Sequence, residues 1–185
     1  MELFKYKPII FRVYGEPQPF PKKEIVPRFG KGRIIVGYTM MARDYRTRTN
    51  PVTHKIEKYD RGYLARWKSH VQNMAKNWME KNGATMFPRN YPVAIGTVFF
   101  ITRSTSCKLD LPSQKPDWDN FEYAIRNALS GICYYDDNQP TWRLYPDGAL
   151  WADNDNPPGV LIQIRDAYTI MDQIDAGRKA ARELV

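Results

Sequence analysis

Cysteine and histidine are scarce in this sequence of 185 residues, which holds two of each: Cys107 and Cys133, His54 and His70. Two thiols without C-x-x-C spacing exclude a disulfide framework or a thiolate cluster. Two imidazoles are too few for a zinc site or a histidine-based nuclease, so any metal is expected to be a hard ion held by oxygen. No apolar run approaches the roughly 20 residues of a membrane span. The opening MELFKYKPIIFRV carries a short, strand-like apolar run in place of a signal-peptide pattern. Together these absences predict a reducing, cytoplasmic setting.

What is present is a core-forming composition and an uneven charge. The chain is 43% hydrophobic and 14% aromatic, enough for one domain over residues 1–185 without disulfide or metal staples. Its formal charge is +8, yet residues 1–70 hold 16 Lys/Arg against 6 Asp/Glu, whereas residues 116–165 hold 3 against 8. A basic half beside an acidic centre suits a polyanion-binding surface next to a cation-binding site.

Periodicity orders the elements. PIIFRVY, residues 8–14, reads as a strand ended by Gly15 and the proline-rich GEPQPFPKK. Residues 15–61 form a basic loop region in which Phe29, Tyr38 and Tyr45 are interspersed among cations, a mixture suited to phosphate contacts and base stacking. A basic loop followed by a hairpin is the plainer alternative. Leu64, Trp67, Val71, Met74, Ala75, Trp78 and Met79 recur at helical spacing over 62–81. PVAIGTVFFIT, residues 92–102, is apolar on both faces and belongs in the middle of a covered sheet. A second helix is predicted from Asp119 to Leu129, with Asp119 capping it, Glu122 three residues on, and Gly131 at its end. ICYY reads as a short strand, 141–145 and 159–165 as further strands, and about 168–184 as a C-terminal helix that docks or meets a partner subunit. The mixed order predicts α+β, with helices against a small mixed sheet.

The acids concentrate around the second helix. Asp117 and Asp119, two apart in an extended segment after Pro116, send their side chains to one side. Asp136 or Asp137, returning after the helix, can add a third oxygen donor. Converging carboxylates repel unless a cation lies between them, and Mg2+ or Mn2+ fits, since these ions take oxygen ligands and keep waters that a phosphate can displace. Taken singly, Asp119 is also an ordinary cap and Asp136-Asp137 an ordinary turn.

The combination is more specific. Lys115, Pro116, Asp117, Asp119 and Asn120, then an apolar-striped helix with Ala128, Leu129 and Gly131, then Tyr134, Asp136, Asp137 and Gln139, resemble the RusA family of Holliday junction resolvases. FRVYGEPQPFPKK and the strand at 93–101 resemble that family more loosely. The resemblance implies a small α/β homodimer that binds branched DNA in recombination and repair, in a bacterial or phage-infected cell. Each subunit would cut one strand with Mg2+ held by Asp117, Asp119 and Asp137, with Asp136 as ligand or support and Asn120 orienting the site. Lys22, Lys23, Arg28, Lys31, Arg33, Lys115 and Arg126 are the candidate DNA-contacting cations.

Two positions depart from the family pattern. A lysine is common four residues after the second aspartate and an acid four further on; here these are Tyr123 and Asn127. Arg126 or a cation of the N-terminal region, such as Lys22, Lys23 or Arg28, is expected to supply the missing charge. Otherwise the protein binds branched DNA without cutting it, or is a basic interaction module whose acids are caps and turns. Pro140 stands at an expected strand position, and 145–158, with Asp147, Asp153 and Asp155, reads as an exposed hairpin tip longer than the family norm.

Overall fold

The computed structural model describes residues 6–20, 23–30, 33–40, 45–49, 56–60, 62–113 and 117–183, with the backbone alone between 23 and 60 and beyond Asp175. Strand β1 (Ile9–Tyr14) alternates buried and outward residues and stops at Gly15, whose φ of 113° favours glycine. In the basic region the chain pairs β2 (Lys23–Gly30) with β3 (Arg33–Met40), and β4 (Tyr45–Thr49) with β5 (Ile56–Asp60), as two antiparallel ribbons. The expected basic loop therefore contains two hairpin-like pairs, more than the single hairpin of the plainer reading.

Helix α1 (Tyr63–Asn82) buries Trp67, Val71, Ala75 and Met79, the stripe its spacing predicts, and ends on Gly83 in the left-handed region. Strand β6 (Val93–Ile101) is buried on both faces, as expected for a central strand. Helix α2 (Trp118–Leu129) follows, then β7 (Pro140–Arg143), β8 (Gly148–Trp151), β9 (Gly159–Asp166) and α3 (Ala167–Glu183). The sheet runs β1-β9-β6-β7, antiparallel until the parallel β6–β7 pair, and β8 also pairs with β6 in parallel. The protein is thus α+β with a mixed sheet.

Two layers of helix cover this sheet. Val93, Ile95 and Phe99 of β6 join Phe11, Val71, Phe121 and Ile125 in the main core under α1 and α2, while Ala94 packs with Leu144 and Ala167 beneath α3. The Phe99 and Phe121 ring centroids are 5.4 Å apart, which fixes α2 over the central strand. The acid-bearing end of α2 is therefore set by buried apolar contacts.

Two local expectations fail. Residues 132–135 form a turn with isolated bridges at Tyr134, not a strand: Gly131 adopts φ 75°, and the Tyr134 hydroxyl donates to the Arg126 carbonyl at 2.8 Å. Segment 145–158 is not simply a hairpin tip, because β8 within it extends the sheet.

Candidate active site

The start of α2 is organised differently from the expected capping box. Asp117, in an extended conformation, is the N-cap residue, and no side-chain capping bond forms. Asp119 lies in the first turn, where a carboxylate favours the positive end of the helix dipole. Glu122 does not reach back to the helix start; it accepts a hydrogen bond from Arg143 Nη2 at 3.0 Å. Glu122 is thus paired with a strand cation and takes no part in a capping box.

Arg143, at the end of β7, also places Nη2 3.6 Å from Asp119 Oδ1, and its guanidinium lies 4.3 Å from the Trp118 ring centroid. Glu122 is 5% exposed, and burial raises its pKa despite the opposing pull of Arg143. Asp147 is a second half-buried acid nearby. Its pKa is also raised by burial, against two hydrogen bonds from Thr97, and the charge of Asp119 raises it further.

The strand topology explains Asp147. Along one edge of β6, β7 pairs with Val93–Ile95 and β8 with Val98–Ile101, leaving a gap at Gly96 and Thr97. Asp147 Oδ1 fills it, accepting from the Thr97 backbone N–H at 3.1 Å and its hydroxyl at 3.2 Å. A buried donor without a ladder partner is satisfied by a side chain. Sequence reading placed Asp147 with Asp153 and Asp155 on an exposed tip; that holds for the latter two, while Asp147 turns inward.

The Asp136-Asp137 turn approaches α2 separately. Arg126 Nη2 donates to the Asp137 carbonyl at 2.7 Å and the Pro140 carbonyl at 3.2 Å. This clamp ties the turn to the last turn of α2, where Arg126 lies. Gln139, buried, holds the turn from the other side: its Oε1 accepts from Asp136 N–H at 2.9 Å, and its Nε2 donates to the Pro88 and Tyr91 carbonyls. Asp136 is exposed, and the Asn138 backbone N–H followed by the neighbouring Asp137 side chain lowers its pKa. An open cleft of about 400 Å³, lined in part by Arg89, Tyr135, Asp136 and Asn138, adjoins the turn.

Asn120 joins the N-terminal chain to this helix: its carbonyl accepts from Phe20 N–H at 2.8 Å. Lys22, Lys31 and Lys115 lie outside the described residues, and Lys23, Arg28 and Arg33 are described by their strand backbones in β2 and β3. Both departures from the family pattern have partners within the chain. The Tyr123 ring meets Phe20 edge-on at 4.7 Å between centroids, and Asn127 Oδ1 accepts from Lys68 of α1. Arg126, expected as the replacement cation, is half-buried and engaged with the turn.

The carboxylates of Asp117, Asp119, Asp136 and Asp137 offer oxygen, the donor type that a hard divalent cation takes. Among the described residues no three acids, histidines or cysteines already converge as a complete ligand group. Asp119, with a side chain 75% exposed, has room to reorient toward a cation.

The family model described as Endodeoxyribonuclease RusA matches residues 40–165, from the end of β3 through nearly all of β9. The chain belongs to the RusA endodeoxyribonuclease family, a family of enzymes that act on branched DNA. No curated protein and no solved structure matches it.

Proposed function

We propose that the protein is a Mg2+-dependent, structure-selective endonuclease that resolves Holliday junctions or related branches in recombination and repair, acting as a homodimer with all 185 residues forming one nuclease unit. Asp117, Asp119 and Asp137 hold the metal, with Mn2+ able to replace Mg2+. Asp136 is a further ligand or support, and Asn120 steadies the helix start through its contact with the N-terminal chain. The observation that carries this reading is the RusA family match over a stretch whose two acidic segments both attach to α2, Asp117 and Asp119 at its start and the Asp136-Asp137 turn through Arg126.

When bound, the metal polarises a phosphodiester and lowers the pKa of an attacking water. The chain's own residues do the rest. The Asp carboxylates bind and orient the ion, and the apolar packing of α2 on β6 keeps their spacing rigid. Lys22, Lys23, Arg28, Lys31, Arg33 and Lys115 belong to the basic complement that holds the sugar-phosphate backbone, while Arg126 is given over to the turn. In a homodimer, two-fold symmetry would present paired sites to a four-way junction.

Separate Asp117→Asn and Asp119→Asn variants should lose metal-dependent junction cutting while keeping most junction binding. Cutting retained by both would refute the site. A second reading, a RusA-like protein that binds branches without cutting, draws support from Tyr123 and Asn127, whose side chains serve intramolecular contacts. It predicts salt-sensitive junction binding and no scission in Mg2+ or Mn2+; scission lost in the aspartate variants would exclude it.

A further inference from the structure

Arg143 received no role from the sequence, and its position at the end of β7 gives it one. Its guanidinium is fixed from three directions: Glu122 Oε2 at 3.0 Å, Asp119 Oδ1 at 3.6 Å, and the face of Trp118 at 4.3 Å. Its side chain nevertheless remains 60% exposed, beside an Asp119 side chain that is 75% exposed. Both described contacts to carboxylates use Nη2, which leaves Nη1 and Nε outside these pairs. A planar guanidinium held on one side by acids and an indole, with donors remaining on its other edge, is prepared for bidentate contact with a phosphate.

Two other cations of the described residues beside α2 are already engaged. Arg126 Nη2 clamps the carbonyls of Asp137 and Pro140, and Lys68 donates to Asn127. Tyr123, at the position of the family's usual lysine, brings no charge. We infer that Arg143 takes that electrostatic role by contacting the non-bridging oxygens of the phosphate being cut and stabilising the charge that develops there. This inference rests on the proposed nuclease function. The competing explanation is that Arg143 serves solely to neutralise the buried Glu122.

Arg143→Ala, Arg143→Lys, Glu122→Gln and the Arg143→Ala/Glu122→Gln double variant separate the two. Each is tested for junction cutting in Mg2+, for junction binding in EDTA across a salt series, and for thermal unfolding. The double variant removes the buried charge together with its partner, so it is the one to read if Arg143→Ala alone unfolds. We expect it to cut about 100-fold or more slowly than Glu122→Gln, in line with loss of one donor to transition-state charge. Arg143→Lys should recover part of that loss, because it keeps the charge without the fork. A double variant cutting within about threefold of Glu122→Gln would reduce Arg143 to a neutralising partner and overturn the inference.

If the wild-type protein does not cut in Mg2+ or Mn2+, the nuclease reading fails, and the salt series decides the phosphate contact. Loss of one contact lowers the slope of log affinity against log salt by about one. An unchanged slope in the double variant, relative to Glu122→Gln, would then remove the phosphate role of Arg143 altogether.

Discussion

The acids around α2 occupy opposite environments. Glu122 and Asp147 are drawn into the protein, where burial raises both pKa values, whereas Asp136 stands in solvent with its charge favoured by the Asn138 N–H and by Asp137. The inner pair answers to structure: Glu122 meets Arg143, and Asp147 fills the gap in the β6 ladder. Asp119 and Asp136 keep exposed carboxylates on the outer surface. Equal formal charges thus divide into those that build the site and those available to a cation. Close acids in sequence need not share a function.

The comparison can be broken from either end. Gln139→Ala removes three hydrogen bonds behind the Asp136-Asp137 turn and should destabilise the protein by about 2–4 kcal/mol, summing typical losses for buried polar groups. In chemical denaturation its midpoint should fall clearly, and a midpoint equal to wild type would show that the turn is held by other means. Gly96→Ala strikes the opposite end. A Cβ there would lie 2.7 Å from the Leu144 carbonyl oxygen and 2.9 Å from Leu144 Cβ, forcing apart β6 and the chain that carries Arg143 and Asp147. A loss of about 1–3 kcal/mol is expected from this overpacking, and an unchanged denaturation midpoint would contradict the close approach.

The smallest effect concerns charge alone. Because the folded pKa of Glu122 is raised, its neutral form suits the fold. Its contribution to stability is therefore fully present below the unfolded carboxylate range near 4 and is lost as pH rises through the folded pKa. In EDTA, Glu122→Gln should be more stable than wild type above that folded pKa, with the difference vanishing on acidification. Asp136, whose folded pKa is lowered, has the opposite sign: its contribution is present above the unfolded pKa and lost as pH falls through the folded one. Denaturation series from pH 3 to 8 on Glu122→Gln and Asp136→Asn would expose the contrast, and parallel pH profiles would refute it.

The parts of this arrangement that were legible in sequence are those with local periodicity. The stripe of α1, the doubly apolar β6 and the apolar face of α2 each follow from residues three, four or two apart, and the structure buries them accordingly. Non-local partners were not legible. β8 sits in a turn-rich stretch, GALW, whose pairing comes from β6 some 50 residues away. Residues 132–135 have strand-like side chains, yet Gly131 and the Tyr134–Arg126 bond turn the chain. At the site, the motif singled out Asp117, Asp119, Asp136 and Asp137. Arg143 and Asp147 left no local signal, because Glu122 and Thr97 meet them only across the sheet. Their one sequence trace is the excess of acid over base in residues 116–165, where a sparse arginine is the natural partner for a buried acid.

On the proposed function, the acids of α2 and of the Asp136-Asp137 turn hold the metal with which this RusA-family chain cuts branched DNA. The most direct measurement is strand-resolved cutting of a labelled four-way junction and a matching duplex, in Mg2+ and in EDTA, by the wild-type protein and Asp119→Asn. Paired cuts in the junction alone, requiring Mg2+ and absent from the variant, are expected. Tight junction binding without a cut, or cutting that survives Asp119→Asn, would contradict the proposed function.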